Sequence, residues 1–210
     1  MRTRRWLPAL LALGVLQTGT AGAQVEIAGG DLPPAGYGTI RSDQLSIRLA
    51  LDDIELRFLP LDERVLRLVS KDGYDALKGL IASRQSAIDS AATNAALSTP
   101  GLALVTFFAL RADARFDPEN VSLLYRNQFW RPVAIVPVTA NFTGRQLPVR
   151  QQASAIFLFD NPLPVYEQFD VVYGTVQSSA WQEALRRVER ERGLVMIRWR
   201  AEKGDSGKHE

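Results

Sequence analysis

From residue 44 onward apolar and polar side chains alternate one by one, and few folds can accommodate that pattern. Leu45, Ile47, Leu49 and Leu51 alternate with Gln44, Ser46, Arg48 and Ala50; after Asp52-Asp53 the pattern resumes with Ile54, Leu56 and Phe58 against Glu55 and Arg57. Successive side chains of a strand point to opposite faces, so a period of two belongs to a half-buried strand and not to a helix. Two such runs about a short acidic turn predict a β-hairpin with one buried face.

The period then changes. Pro60 ends the strand, and Asp62 can cap a short helix carrying Val65, Leu66, Leu68 and Val69, with Asp72-Gly73 as punctuation. A longer helix is predicted over 74–97, with Leu77, Ile81, Ile88, Ala91 and Ala95 near one face, until Ser98-Thr99-Pro100 stops it. Residues 62–97 therefore read as a helical insert.

Beyond residue 101 strand signals return. The run 102–110 is almost continuously apolar, as expected of a central strand covered on both faces. Residues 117–120 form a turn, followed by strands over 121–125, 129–138, 153–159 and 169–173. Pro132 and Pro137 place the 129–138 strand at an edge or bulge, because neither can donate to a ladder. Ser179 with Gln182 opens a helix bearing Trp181, Leu185 and Val188, and Gly193 suits the position just past its last turn. A final strand is expected over 194–199 and a disordered polar tail over 201–210. The predicted fold class is α+β, mainly β. It is an antiparallel immunoglobulin-like β-sandwich over 44–200, with the helical insert and a C-terminal helix.

Ahead of that domain, Gly29-Gly30, Pro33-Pro34 and Gly36 predict a flexible lead-in over 24–43. Residues 1–23 have the three parts of a signal peptide. They are the basic Arg2, Arg4 and Arg5, an apolar run over 6–16, and Ala21-Gly22-Ala23 ahead of a cleavage site near Ala23. The run is well short of the ~20 residues that span a bilayer, so no transmembrane anchor is expected in the mature chain. The expected location is periplasmic or secreted. Cleavage removes three of the 25 Lys and Arg residues; 25 less three leaves 22 against 23 acidic residues. The basic character of the full chain thus resides in the leader, and nucleic acid is not an expected partner.

Cysteine is absent and histidine occurs once, as His209 near the end of the chain. Zinc, copper, haem and thiol chemistry therefore lose their usual ligands and nucleophiles, and no cofactor or metal is expected. Gly204-Asp205-Ser206-Gly207 spells a serine-protease motif, but it falls in the polar tail with no strand behind it and no oriented base. No residue is assigned as catalytic. Carboxylates in the turns, Asp52 with Asp53 and Asp113 with Asp117 and Glu119, could hold a weak Ca²⁺ or supply a glycosidase-like pair; turn chemistry explains them more simply. The aromatic group Tyr125, Phe129 and Trp130 either packs between strands or, if Trp130 and Arg131 face outward, makes an interaction surface.

Residues 59–64 (Leu-Pro-Leu-Asp-Glu-Arg), Tyr74, residues 131–137 (Arg-Pro-Val-Ala-Ile-Val-Pro) and residues 155–160 (Ala-Ile-Phe-Leu-Phe-Asp) together resemble a group of uncharacterised exported bacterial proteins. The resemblance implies an immunoglobulin-like sandwich in the periplasm or outside the cell, with no activity to carry over. The expected function is a non-enzymatic binding or interaction module of the bacterial envelope, with another envelope protein or a cell-wall component as its partner. The alternatives are a carboxylate-dependent hydrolase of envelope polysaccharide or peptide, and a structural envelope subunit.

Overall fold

The computed structural model describes residues 32–206. The expected leader, the first part of the lead-in and the last four residues, His209 among them, lie outside the described residues. A short helix α1 (Ser42–Leu45) leads into β1 (Ile47–Ala50) and β2 (Ile54–Pro60), which pair antiparallel from Ile47↔Phe58 to Ala50↔Glu55. The alternation thus buries Ile47, Leu49, Leu56 and Phe58 together, as the pattern predicts. Helix α2 (Glu63–Leu66) follows, and the Asp62 carboxylate caps it by accepting from Arg64 N at 2.9 Å.

Helix α3 spans Lys71–Asn94. It begins three residues earlier than the Asp72-Gly73 punctuation implies, because Gly73 serves close packing instead of a break. A Cβ there would lie 2.6 Å from Val69 Cγ1. Next come β3 (Gly101–Ala109), β4 (Ala114–Arg115), a 3₁₀ turn (Pro118–Asn120), β5 (Val121–Tyr125), β6 (Gln128–Trp130), β7 (Ala134–Pro137), β8 (Gln146–Leu147), β9 (Gln152–Phe159), β10 (Asp170–Tyr173), β11 (Val176–Ser178) and α4 (Trp181–Ser206).

The fold is α+β. Its strands form a five-stranded sheet in the order β1-β2-β3-β9-β7, a four-stranded sheet in the order β11-β10-β5-β6 and the small β4-β8 pair, with every strand pair antiparallel. Aromatic rings join the two larger sheets: Phe58 of β2 meets Phe169 at 6.4 Å, and Phe107 of β3 meets Tyr173 of β10 at 5.7 Å. Trp181 stacks on Phe169 at 5.1 Å and closes this core from α4. Strand β3 is central, between β2 and β9, but only its inner residues are buried outright; the outer ones are half-covered.

Three expectations are corrected. Residues 129–138 are not one strand. Pro132 has no N–H to offer β5, so pairing stops after Trp130, and Val133 N donates to Leu158 O at 2.8 Å in the other sheet. The proline therefore marks the crossing between sheets.

The expected strand over 194–199 is helix, and α4 runs through Gly193 to Ser206 where a disordered tail was expected. Trp181, Ala184, Leu185, Val188, Glu191 and Val195 recur at helical spacing and are all buried, so the inward stripe does not end at the glycine. Gly193 faces open space on the other side.

The lead-in is not free up to residue 43. Gly38 and Ile40 make parallel bridges to Ser70 and Val69, and a Cβ on Gly38 would sit 2.1 Å from Leu68 O. Glycine is required there by close backbone approach. The Glu191 carboxylate then accepts from Thr39 N and Thr39 Oγ1, each at 2.9 Å, and from Arg198 Nη1 at 2.7 Å. Arg198 Nη1 also reaches Tyr37 O at 2.7 Å, so one buried carboxylate ties the lead-in to α4.

Candidate functional site

The β5–β6 hairpin turns on Arg126 and Asn127, both left-handed, with φ of 49° and 63°. A two-residue turn of this hand matches the twist of the flanking strands. Arginine is unusual at such a position, and its side chain is anchored: it pairs with Glu167 at 2.7 Å and lies 5.0 Å over the Tyr125 ring. The same contacts, a hydrogen bond from the Tyr125 hydroxyl and the Arg126 guanidinium, hold the Glu167 carboxyl below the usual carboxylate range.

Register decides which aromatic points where. Leu123 opposes Trp130 and Leu124 opposes Phe129, so Trp130 shares the inner face with Leu123 and Tyr125. Trp130 is half-buried, with its ring edge-on to Tyr125 at 5.1 Å. Phe129 takes the outer face and is 63% exposed. Of the two residues singled out from the sequence, Arg131 is exposed and Trp130 packs inward; Phe129 is the aromatic that reaches solvent. Strand phase could have separated the two rings, but it needed the turn at Arg126-Asn127, which carries no glycine signal.

Beside Phe129 the outer face dips into a pocket of about 270 Å³. Ser122 and Val172, directly opposed in β5 and β10, form its floor, and Phe129, Arg131, Glu119 and Asn120 line its sides. Ser122 is only 8% exposed although it lies on the outer face, because these flanking groups rise around it. No family model, curated protein or solved structure matches the chain. What this surface can do therefore follows from its geometry.

Glu119 stands between this pocket and a second open groove of about 380 Å³, lined by Pro118, Ile135, Pro137, Phe142 and Arg145. Arg145 joins Glu119 at 2.9 Å and Asp117 at 3.5 Å. The Asp117 carboxylate also caps the 3₁₀ turn by accepting from Glu119 N, and Asp113 accepts from Gln146 Nε2 at 3.2 Å. These three carboxylates are thus held by a cation, a backbone N–H and an amide, as turn chemistry predicts. Asp52 and Asp53 lie in the β1–β2 turn, where Asp53 O accepts from Leu110 N. Among the described residues no three acidic or histidine side chains converge as a metal would need. Gly204, Asp205 and Ser206 are the end of α4.

Proposed function

We propose that the chain is an exported, non-enzymatic binding module of the bacterial envelope, periplasmic or secreted, that contacts an envelope protein or cell-wall component through the outer face of the β5–β6 hairpin. The carrying observation is the pairing of an aromatic ring 63% exposed at Phe129 with the exposed Arg131 across a walled pocket. Aromatic and arginine side chains are the common anchors of interfaces, and here one of each flanks the same pocket. Export rests on the leader-like residues 1–23, with their basic start, short apolar run and small residues at 21–23. No helix among the described residues is long and apolar enough to cross a membrane.

An immunoglobulin-like sandwich is the finer description of the fold that we propose. Two antiparallel sheets meeting through inward aromatics support it, as does a crossing strand broken at Pro132. Such a frame holds hairpin surfaces rigid and leaves their outer faces free for contact.

Purified protein incubated with isolated envelope fractions tests the reading. Wild type is expected to co-sediment, and Phe129→Ser and Arg131→Ser each to reduce that retention without loss of folding. Absence of retention, or retention indifferent to both substitutions, refutes it.

A further inference from the structure

We infer that the pocket beside Phe129 takes a carboxylate-bearing sugar, a hexuronic acid unit of an envelope polysaccharide. The inference rests on the reading of this face as the contact surface and names its ligand.

The cation comes first. Arg126 is paired with Glu167, and Arg145 with Asp117 and Glu119, whereas Arg131 makes no ion pair or hydrogen bond among the described residues. A guanidinium presents a planar fork of donors that matches a carboxylate in two parallel hydrogen bonds. An unengaged Arg at a pocket wall therefore selects a planar anion.

The floor adds a second requirement. Ser122 lines the pocket, and although the residue is only 8% exposed its hydroxyl is not among the sealed-off polar atoms, so a ligand atom can reach it. A hydroxyl at a pocket floor can donate to or accept from a polar ligand atom in place of water. Asn120 supplies a further polar group on the same wall.

The remaining walls separate sugar from peptide. Glu119 lines the side, paired with Arg145, and its carboxylate can accept a hydroxyl. An acidic peptide side chain offers a carboxylate and no hydroxyls; a uronic acid offers both, at opposite ends of one ring. The exposed Phe129 ring gives the apolar C–H face of that sugar a surface to lie on. The volume, about 270 Å³, is below that of drug-sized ligand sites and suits a single ring held at an open edge.

The experiment titrates the full-length protein, as it is produced, with oligogalacturonate and with the same oligomer methyl-esterified, following calorimetric heats and backbone amide shifts. The acidic oligomer is expected to bind and shift Ser122, Phe129 and Arg131, and the neutral ester to bind roughly tenfold more weakly or not at all. Arg131→Gln should weaken the acidic oligomer by a similar factor, and added salt should weaken it further. Arg190→Gln, exposed on α4 and away from the hairpin, should leave it unchanged. Equal binding of acid and ester, equal binding of oligoglutamate, or full affinity in Arg131→Gln would overturn the inference. If the oligomers fail while envelope retention still depends on Phe129, the sugar assignment falls and the contact surface stands; if retention fails too, both fall.

Discussion

Replacing Glu191 by Ala removes three hydrogen bonds at once, from Thr39 N, Thr39 Oγ1 and Arg198 Nη1. Glu191 is 6% exposed, so its carboxyl group has to find its hydrogen-bond partners within the protein. Hydrogen bonds to a charged group net about 1.5–3 kcal/mol each, but they are not additive here. The Arg198 side chain is 37% exposed, and Thr39 lies at the surface, so water takes up part of what Ala leaves unpaired. The expected loss is therefore about 2–3 kcal/mol, the worth of one charged bond rather than three.

Glu191→Gln keeps an oxygen for Thr39 and loses the charge that Arg198 needs, for an expected cost of about 1 kcal/mol, since neutral bonds are about half as strong. Urea unfolding followed by tryptophan fluorescence reads both, with the slope of free energy against denaturant checked for constancy. Exchange of the Thr39 amide hydrogen should quicken in the Ala variant far more than in the Gln variant. A loss below about 0.5 kcal/mol for Ala would place the change among ordinary surface substitutions and refute the clamp. No measurable loss for Gln would refute the role of charge.

Gly193→Ala tests the continuity of α4: inside a helix with open space around its Cβ it should stabilise by about 0.5–1 kcal/mol in thermal or urea unfolding, whereas a helix ending at Gly193 in a left-handed residue would be destabilised. Gly38→Ala brings a Cβ to 2.1 Å from Leu68 O and should cost about 1–3 kcal/mol, with faster proteolysis of the lead-in; a neutral result would mean the lead-in is not held against Leu68. Glu167 has a lowered folded pKa, so its contribution is complete above the unfolded value, about 4.3, and is lost as pH falls through the lower folded value. Tyr125→Phe should flatten that acid limb of the stability profile; because Glu167 and Arg126 are largely in water, the effect is small. Tyr173, desolvated in the core, has its pKa raised, so stability is complete below about pH 10 and falls as pH rises through the folded value; Tyr173→Phe should remove that alkaline dependence.

Local signals carried through where they depended on near neighbours. The alternation over 47–58 became β1 and β2 in a register that buries Ile47, Leu49, Ile54, Leu56 and Phe58, and Asp62 caps the helix its position suggested. Turn residues 117–120 became a capped 3₁₀ turn for the same reason: an Asp side chain satisfies a backbone N–H two residues on, wherever the segment lies in the fold. At Gly193 the local rule failed, because a glycine after an apolar stripe reads the same whether the helix stops or continues. Val195, buried on the turn beyond it, decides for continuation.

The sequence by itself determined the mixture of helix and antiparallel strand and the absence of disulfides. Each follows from residue type and spacing over a few positions. Tertiary structure alone decided that Pro132 divides one apparent strand between two sheets, and that Phe129 rather than Trp130 meets water. It also placed Arg131 and Ser122 at one pocket and brought Glu191 to Thr39, residues 152 positions apart. These are consequences of register and of long-range approach, and a one-residue shift in strand pairing would turn every side chain of the hairpin to the other face.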